Sequence, residues 1–236
     1  MEENQNLRML FPTTNGMYIY DSHGYFLTSF VSEMNLNDAL EIAEGSYPED
    51  LAVFRAIELL RLVEVAHLAN IIHGALSPSV LMLPLPKGLL ASNLPAWNGE
   101  PSGGWECVAM VLSNFSNATD ATLVSAEESD FSLDHRGIHN VLTRLIDRPE
   151  VKTGWVRPLW KDLITVLRSS SSRMNGEQSA QFLRELRLNL IAKVLPQSTR
   201  ASSSISIEIQ RLNLLKAQRY LAENPTITLT ASFLPD

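Results

Sequence analysis

Cysteine occurs once in the 236 residues, at Cys107. A single thiol builds neither a disulfide framework nor a cysteine-based zinc site, and a reducing, intracellular compartment is expected. Positive charge is also short. Lys and Arg total 19 against 26 Asp and Glu, giving a net charge of −7. A general nucleic-acid binder needs a basic face to meet phosphates, so no nucleic-acid partner is expected. Long apolar runs are missing too. None reaches the ~18 uninterrupted residues of a spanning helix, and the longest, near residues 79–90, is broken by Pro84, Pro86 and Lys87. Residues 1–6 are acidic and polar, the reverse of a secretory leader. The expectation is a soluble protein with no membrane association. The sequence also lacks a Gly-x-Ser-x-Gly elbow, a Walker loop, Gly-x-Gly-x-x-Gly and Cys-x-x-Cys, so no cofactor is expected. A Ser-His-Asp triad assembled from distant positions would leave no such trace.

What is present is enough apolar sequence for a core: 45 % of residues are hydrophobic, which excludes disorder of the whole chain. Residues 17–20 and 25–31 are β-prone runs around the turn 21–24 and predict a hairpin. Residues 35–44 predict a short helix, with Asn37 as a candidate cap. Pro48, Glu49 and Asp50 open a stronger helix to about Asn70, because acids in a first turn suit the helix dipole. Phe54, Ile57, Leu60 and His67 share one face, and Leu59, Leu62 and Ala66 another. A helix apolar on most of its surface is expected to be deeply buried. Residues 80–83 predict a short strand, 84–104 a Pro- and Gly-rich loop, and 105–112 the strand that pairs back. Residues 114–129 read as an extended surface segment. Further helices are predicted at 133–146, at 158–167 with Leu159, Leu163 and Val166 on one face, at 178–194 and at 206–223. Serine-rich linkers lie at 169–172 and 198–204. The sum is a mainly helical α+β domain.

The run from His67 to Leu83, containing Ile71-Ile72-His73-Gly74-Ala75-Leu76-Ser77-Pro78-Ser79-Val80, resembles a protein-kinase catalytic loop. There a buried helix leads into His-Gly-Asp-x-Lys-Pro-x-Asn and a short apolar strand. The His-Gly form resembles the Bub/BubR spindle-checkpoint kinases. Asn114-Phe115-Ser116 stands where the kinase Asp-Phe-Gly belongs. Asp134 and Gly137 resemble the Asp and Gly that open the large central helix, and Trp155 and Trp160 resemble the Trp-rich region that follows. The resemblance implies a kinase-like C-lobe with only the last N-lobe strands present. It gives a tail at 1–16, a kinase-like domain at 17–223 and a C-terminal tail at 224–236.

The departures carry the functional expectation. Phosphoryl transfer needs a carboxylate to orient the nucleophile, metal ligands and a lysine on the phosphates. The resemblance puts Ala75 at the catalytic base, Ser77 at the lysine, Val80 at the metal-binding Asn, and Asn114 and Ser116 at the Asp and Gly of Asp-Phe-Gly. A methyl group accepts no proton, and Asn is a poorer magnesium ligand than Asp. The glycine-rich loop, strand lysine and helix glutamate would precede residue 17, and the chain is expected to lack them. His67, His73, Gly74, Pro78, Asp134 and Gly137 are the scaffold positions. In the resembled family the central-helix Asp accepts amide hydrogen bonds from the catalytic loop. Lost chemistry on a kept scaffold predicts a pseudokinase: no enzyme, but a platform for other proteins, by resemblance at the kinetochore in the spindle assembly checkpoint. The alternatives are an unrelated intracellular α+β interaction domain and an atypical active serine/threonine kinase.

The remaining features read more simply. His67 is expected to be a hydrogen-bonded core residue, and His23, His135 and His139 surface or helix residues. The four-residue spacing of His135 and His139 suits a metal, but no nearby Glu completes a zinc motif. Glu127, Glu128 and Asp130 read as a solvated acidic face. Trp97, Trp105, Trp155 and Trp160 read as packing residues, and Cys107 as a buried apolar one.

Overall fold

Between Glu49 and Leu68 the side chains are apolar around almost the whole circumference, so a helix there must be enclosed by other elements. The computed structural model describes residues 11–12, 14–21, 23–28, 34–43, 47, 49–83, 110–125, 129–146, 157–169 and 174–194. The order is β1 (Thr14–Tyr20), β2 (His23–Thr28), α1 (Leu36–Ile42), α2 (Glu49–Leu68), β3 (Ile71–Ile72), β4 (Leu81–Met82), β5 (Val111–Leu112), β6 (Thr119–Asp120), α3 (Ser132–Ile146), α4 (Arg157–Ser169) and α5 (Gly176–Val194). Among the described residues this is a mainly helical α+β fold whose strands form only two-stranded ladders.

The enclosure of α2 is nearly complete. Every residue from Leu51 to Leu60 is buried, as are Leu62, Val63, Glu64, Ala66 and His67. Helix α5 runs along α2, and α3 packs on α2 and α4. The apolar sides of α1, α3 and α4 complete one core around Leu59, Leu62, Ile138, Leu142, Trp160 and Leu183. Arg187 of α5 donates to Glu64 of α2 at 2.9 Å, an ion pair mostly shielded from water.

Several local expectations are corrected. The cap of α1 is Asn35, not Asn37. Its side chain accepts from the Asp38 amide while Asp38 accepts from the Asn35 amide, a reciprocal capping box. Asn37 instead donates to Glu41 one turn on. β1 begins at Thr14, before the expected Met17, and the pairing of Tyr20 with His23 makes the turn tighter than residues 21–24. The expected strand at 80–83 is a 3-10 turn (Pro78–Val80) followed by β4, which pairs antiparallel with β5. The segment from 114 is not simply extended. It makes a 3-10 turn at Phe115–Asn117, then β6, which pairs antiparallel with β3. On α4 the buried face is Trp160, Leu163 and Leu167, and Val166 is exposed. Ser169 is the end of α4, not linker.

The expectations for 84–104, for 105–109, for the helix at 206–223, for the tail at 224–236 and for the serine tracts at 170–172 and 198–204 lie outside the described residues. So do Glu127, Glu128, Cys107, Trp97, Trp105 and Trp155.

Candidate functional site

The C-terminus of α2, the loop after β3 and the first turn of α3 meet at one buried carboxylate. Asn70 ends α2 in the left-handed conformation (φ 56°), which Asn tolerates, and the chain reverses into β3. The loop from His73 then passes over the start of α3. Asp134 lies in the first turn of that helix, where the dipole favours an anion. Its side chain is fully buried. The His73 amide donates to Asp134 Oδ2 at 2.7 Å and the Gly74 amide to Oδ1 at 2.8 Å. His67 Nε2 lies 3.1 Å from Oδ2. Three donors thus converge on one carboxylate, which offsets the cost of burying its charge.

Two glycines let the backbones approach this closely. Gly74 has φ +76°, and a Cβ there would lie 2.8 Å from the Asn117 carbonyl oxygen. At Gly137 a Cβ would fall on the Leu76 side chain and 3.2 Å from its carbonyl oxygen. Gly137 therefore sets how near α3 comes to the loop that Asp134 holds.

The His73 ring is fixed from both ends. It reaches the Ser113 carbonyl from Nε2 at 2.9 Å, so Nε2 carries the proton. Nδ1 then accepts from the Ala75 amide at 3.3 Å. The Phe115 ring stands against it, centroids 5.1 Å apart.

Behind Asp134 lies a relay that the sequence did not reveal. His67 Nδ1 is 2.8 Å from Ser179 Oγ, and His135 Nε2 is 2.7 Å from the same oxygen. An ionised Asp134 only accepts, so His67 Nε2–H donates to it. His67 Nδ1 then accepts the Ser179 hydroxyl, and Ser179 Oγ accepts from His135 Nε2–H. Burial, with the neighbouring His67 ring, holds His135 down to about 4, so it stays neutral. His135 is thus not a surface residue. It is 2 % exposed, packed against the Phe182 ring. Ser179 is brought in by α5, whose N-terminus is capped reciprocally by Asn175 and Gln178. Gly176 lets that helix start against the end of α2, since a Cβ there would lie 2.6 Å from the His67 carbonyl oxygen.

Ser179, His67 and Asp134 form a Ser-His-Asp chain, but all three are 0 % exposed. No substrate reaches a sealed hydroxyl, so the relay ties α2, α3 and α5 together rather than attacking anything. His139 sits beside Asn140 rather than His135, and no group of three His, Cys, Asp or Glu among the described residues is placed to hold a metal.

The positions aligned with kinase chemistry carry no such concentration of charge. Ala75 follows the Asp134-bound amides directly. Ser77 Oγ bonds Ser79 Oγ at 2.9 Å. Pro78 and Val80 are buried in the 3-10 turn. The Val80 carbonyl accepts from Ser113 through both its amide and its hydroxyl, each at 2.9 Å. Asn114 is exposed and left-handed (φ 58°), and its Oδ1 accepts from the Ser116 hydroxyl at 2.8 Å. Ala75, Ser77 and Val80 thus line one loop, with Asn114 and Ser116 on the chain beside it, and none of their side chains carries a charge.

The fold and site define a class: a mainly helical α+β domain whose central loop is held by a buried aspartate. No family model matches the chain. Among characterised proteins it is similar to the mitotic checkpoint serine/threonine-protein kinase BUB1 of Arabidopsis thaliana, 22 % identical over 227 residues, covering 78 % of this chain and 42 % of the relative. It is also similar to the spindle assembly checkpoint serine/threonine-protein kinase BUB1 of Saccharomyces cerevisiae, 25 % identical over 126 residues, covering 47 % of this chain and 11 % of the relative. The chain spans less than half the length of these relatives. No helix among the described residues is long and apolar enough to cross a membrane.

Proposed function

We propose that this chain is a catalytically inactive kinase-like domain that acts as a protein-interaction platform in the spindle assembly checkpoint, inside the nucleus at the kinetochore. One observation carries the reading. Asp134 binds the amides of His73 and Gly74 at 2.7 and 2.8 Å, and the very next residue is Ala75. A loop held through its amides by a buried aspartate supports the kinase-like reading, and in that reading the residue expected to present a carboxylate is Ala75, a methyl group. Val80 and Asn114 remove metal ligands in the same way. The similarity to two BUB1 kinases supports the setting. With no transfer chemistry to perform, a rigid loop and helix assembly offers shape alone, and shape serves partner proteins.

The chain, incubated with magnesium, labelled ATP and generic protein substrates, should give no label above the protein-free blank. Ala75→Asp should stay blank as well, because the lysine and metal positions are also changed. Label that co-elutes with the purified chain would overturn the inactivity. In dividing cells, depletion should shorten arrest by a microtubule poison. Re-expression of wild type or Asn114→Ala should restore it, and Asp134→Ala should not. Arrest that is unaffected by depletion would remove the checkpoint assignment.

A further inference from the structure

A groove of about 460 Å³ opens beside the last turns of α2, within the ~300–1,000 Å³ of sites that enclose small ligands or a few side chains. Its walls include Val65 and Ala69 of α2, Ile71 of β3, and the rings of Phe11 and Phe115. Each of these residues is at least partly exposed. Among the described residues, Asp120 of β6 is the one charged group that lines it. The Thr122 amide and hydroxyl donate to Asp120 Oδ1 at 2.9 and 2.6 Å. They hold the carboxyl below the usual carboxylate range, so it is ionised at neutral pH. Both bonds fall on Oδ1, which leaves Oδ2 open to a donor from outside.

An apolar trough with a single carboxylate asks for an apolar occupant carrying a cation. The Phe11 and Phe115 rings stand 5.9 Å apart at 60° to one another. Such rings cover the apolar stem of a Lys or Arg and attract its charge. The wall is also fixed in advance. Phe115 packs on the His73 ring, centroids 5.1 Å apart, and Asp134 holds His73 through its amide. A preformed wall loses little freedom when a ligand seats on it. The net charge of −7 draws basic partners toward the chain and repels a second copy of it.

We propose that this groove docks a short basic and apolar segment of a partner protein, with aliphatic or aromatic side chains on its walls and a Lys or Arg beside Asp120. The proposal rests on the platform reading of the chain and gives that platform an address.

The test selects random peptides displayed on phage against the full chain. Wild type is compared with Ala69→Trp, which puts an indole into the groove from an exposed position, and with Asp120→Lys, which reverses its charge. Wild type should enrich peptides that join apolar residues to a Lys or Arg, and Asp120→Lys should enrich Asp or Glu in place of the cation. A synthetic copy of the most enriched peptide, read by fluorescence anisotropy, should bind Ala69→Trp roughly tenfold or more weakly than wild type. Asp120→Asn should bind it several-fold more weakly, a difference that fades at high salt. If Ala69→Trp folds poorly, the charge reversal at Asp120 decides alone. No enrichment on wild type, or enrichment without a preferred charge, would overturn the proposal. Peptides held equally by wild type and Ala69→Trp would overturn the groove as the address. Both results are read independently of the label transfer that tests the inactive-platform reading. Sedimentation showing a dimer for wild type and a monomer for Ala69→Trp would overturn the proposal in favour of a second copy as occupant.

Discussion

The loop held by Asp134 and the hairpin of β1 and β2 are both short and are built on opposite terms. Around Asp134, three donors, two glycines and a Ser-His relay leave almost no accessible surface. In β1 nearly every residue faces solvent, with Ile19 and Tyr20 each 76 % exposed. A two-stranded ladder alone is marginal in water, whereas converging buried polar groups are over-determined. The difference teaches where stability is spent. It is concentrated at the buried loop, not in the solvent-facing hairpin.

The largest break in that contrast is Asp134→Ala. It orphans two buried amides and the His67 Nε2–H at once, and is expected to cost about 3–5 kcal/mol in urea unfolding. Asp134→Asn leaves one acceptor oxygen and turns the other group into a donor, so it should recover less than half of the loss. A cost below about 1 kcal/mol for the alanine variant would show that the buried junction is not what holds α3 to the loop.

Acid probes the same junction from its far end. His135 is held to about 4 in the fold against 6.5 when unfolded. The unfolded chain therefore takes up the proton first, so this residue's contribution is intact above pH 6.5. It is lost progressively as pH falls toward 4, by about 3 kcal/mol at full protonation. Buried Glu58 works in the opposite sense, because desolvation raises its carboxyl and the folded state then binds the proton more readily. The comparison that isolates His135 is wild type against His135→Gln, which keeps a donor toward Ser179 but does not titrate. Between pH 6.5 and 4 the wild type should lose stability relative to the variant. Parallel curves would mean that the relay does not exclude the charged ring.

Gly137→Ala comes next in size. In an exposed helix this change would gain up to about 1 kcal/mol. Here the added methyl meets Leu76, including its carbonyl oxygen at 3.2 Å, and overpacking should win by about 1–3 kcal/mol. Leu76→Ala in the same chain should relieve part of that cost, and a double-mutant cycle measures the coupling.

What the sequence made legible follows from the kind of signal each feature leaves. His67 was readable from the apolar face it shares at helical spacing, whereas Asp134 and Gly137 were singled out only through the family resemblance. Ser179 was not. A serine on a helix face has no signature, and its partner His67 lies 112 residues away. His135 was read only as a surface or helix residue; it lies on α3 but is buried, and nothing in the sequence shows the hydroxyl it meets. The two-residue strands β3, β4, β5 and β6 are too short to carry a period of two. Asn37 alone was read as a candidate cap, and it is the reciprocal bond with Asp38, which leaves no sequence period, that gives the place to Asn35.

The smallest expected effect lies in the hairpin, and its smallness sharpens the comparison. Ile19→Thr keeps β-branching on a side chain that touches little, and should shift global stability by no more than about 0.5 kcal/mol. Hydrogen exchange should separate the two regions without mutation. The amides of β1 should exchange by local opening at low free energy. Those of His73 and Gly74, bonded to a buried carboxylate, should exchange only with global unfolding. If Ile19→Thr cost as much as Gly137→Ala, the exposed hairpin would have to be covered by another surface in solution. Its amides would then be protected to a degree that the pairing with β2 alone does not supply.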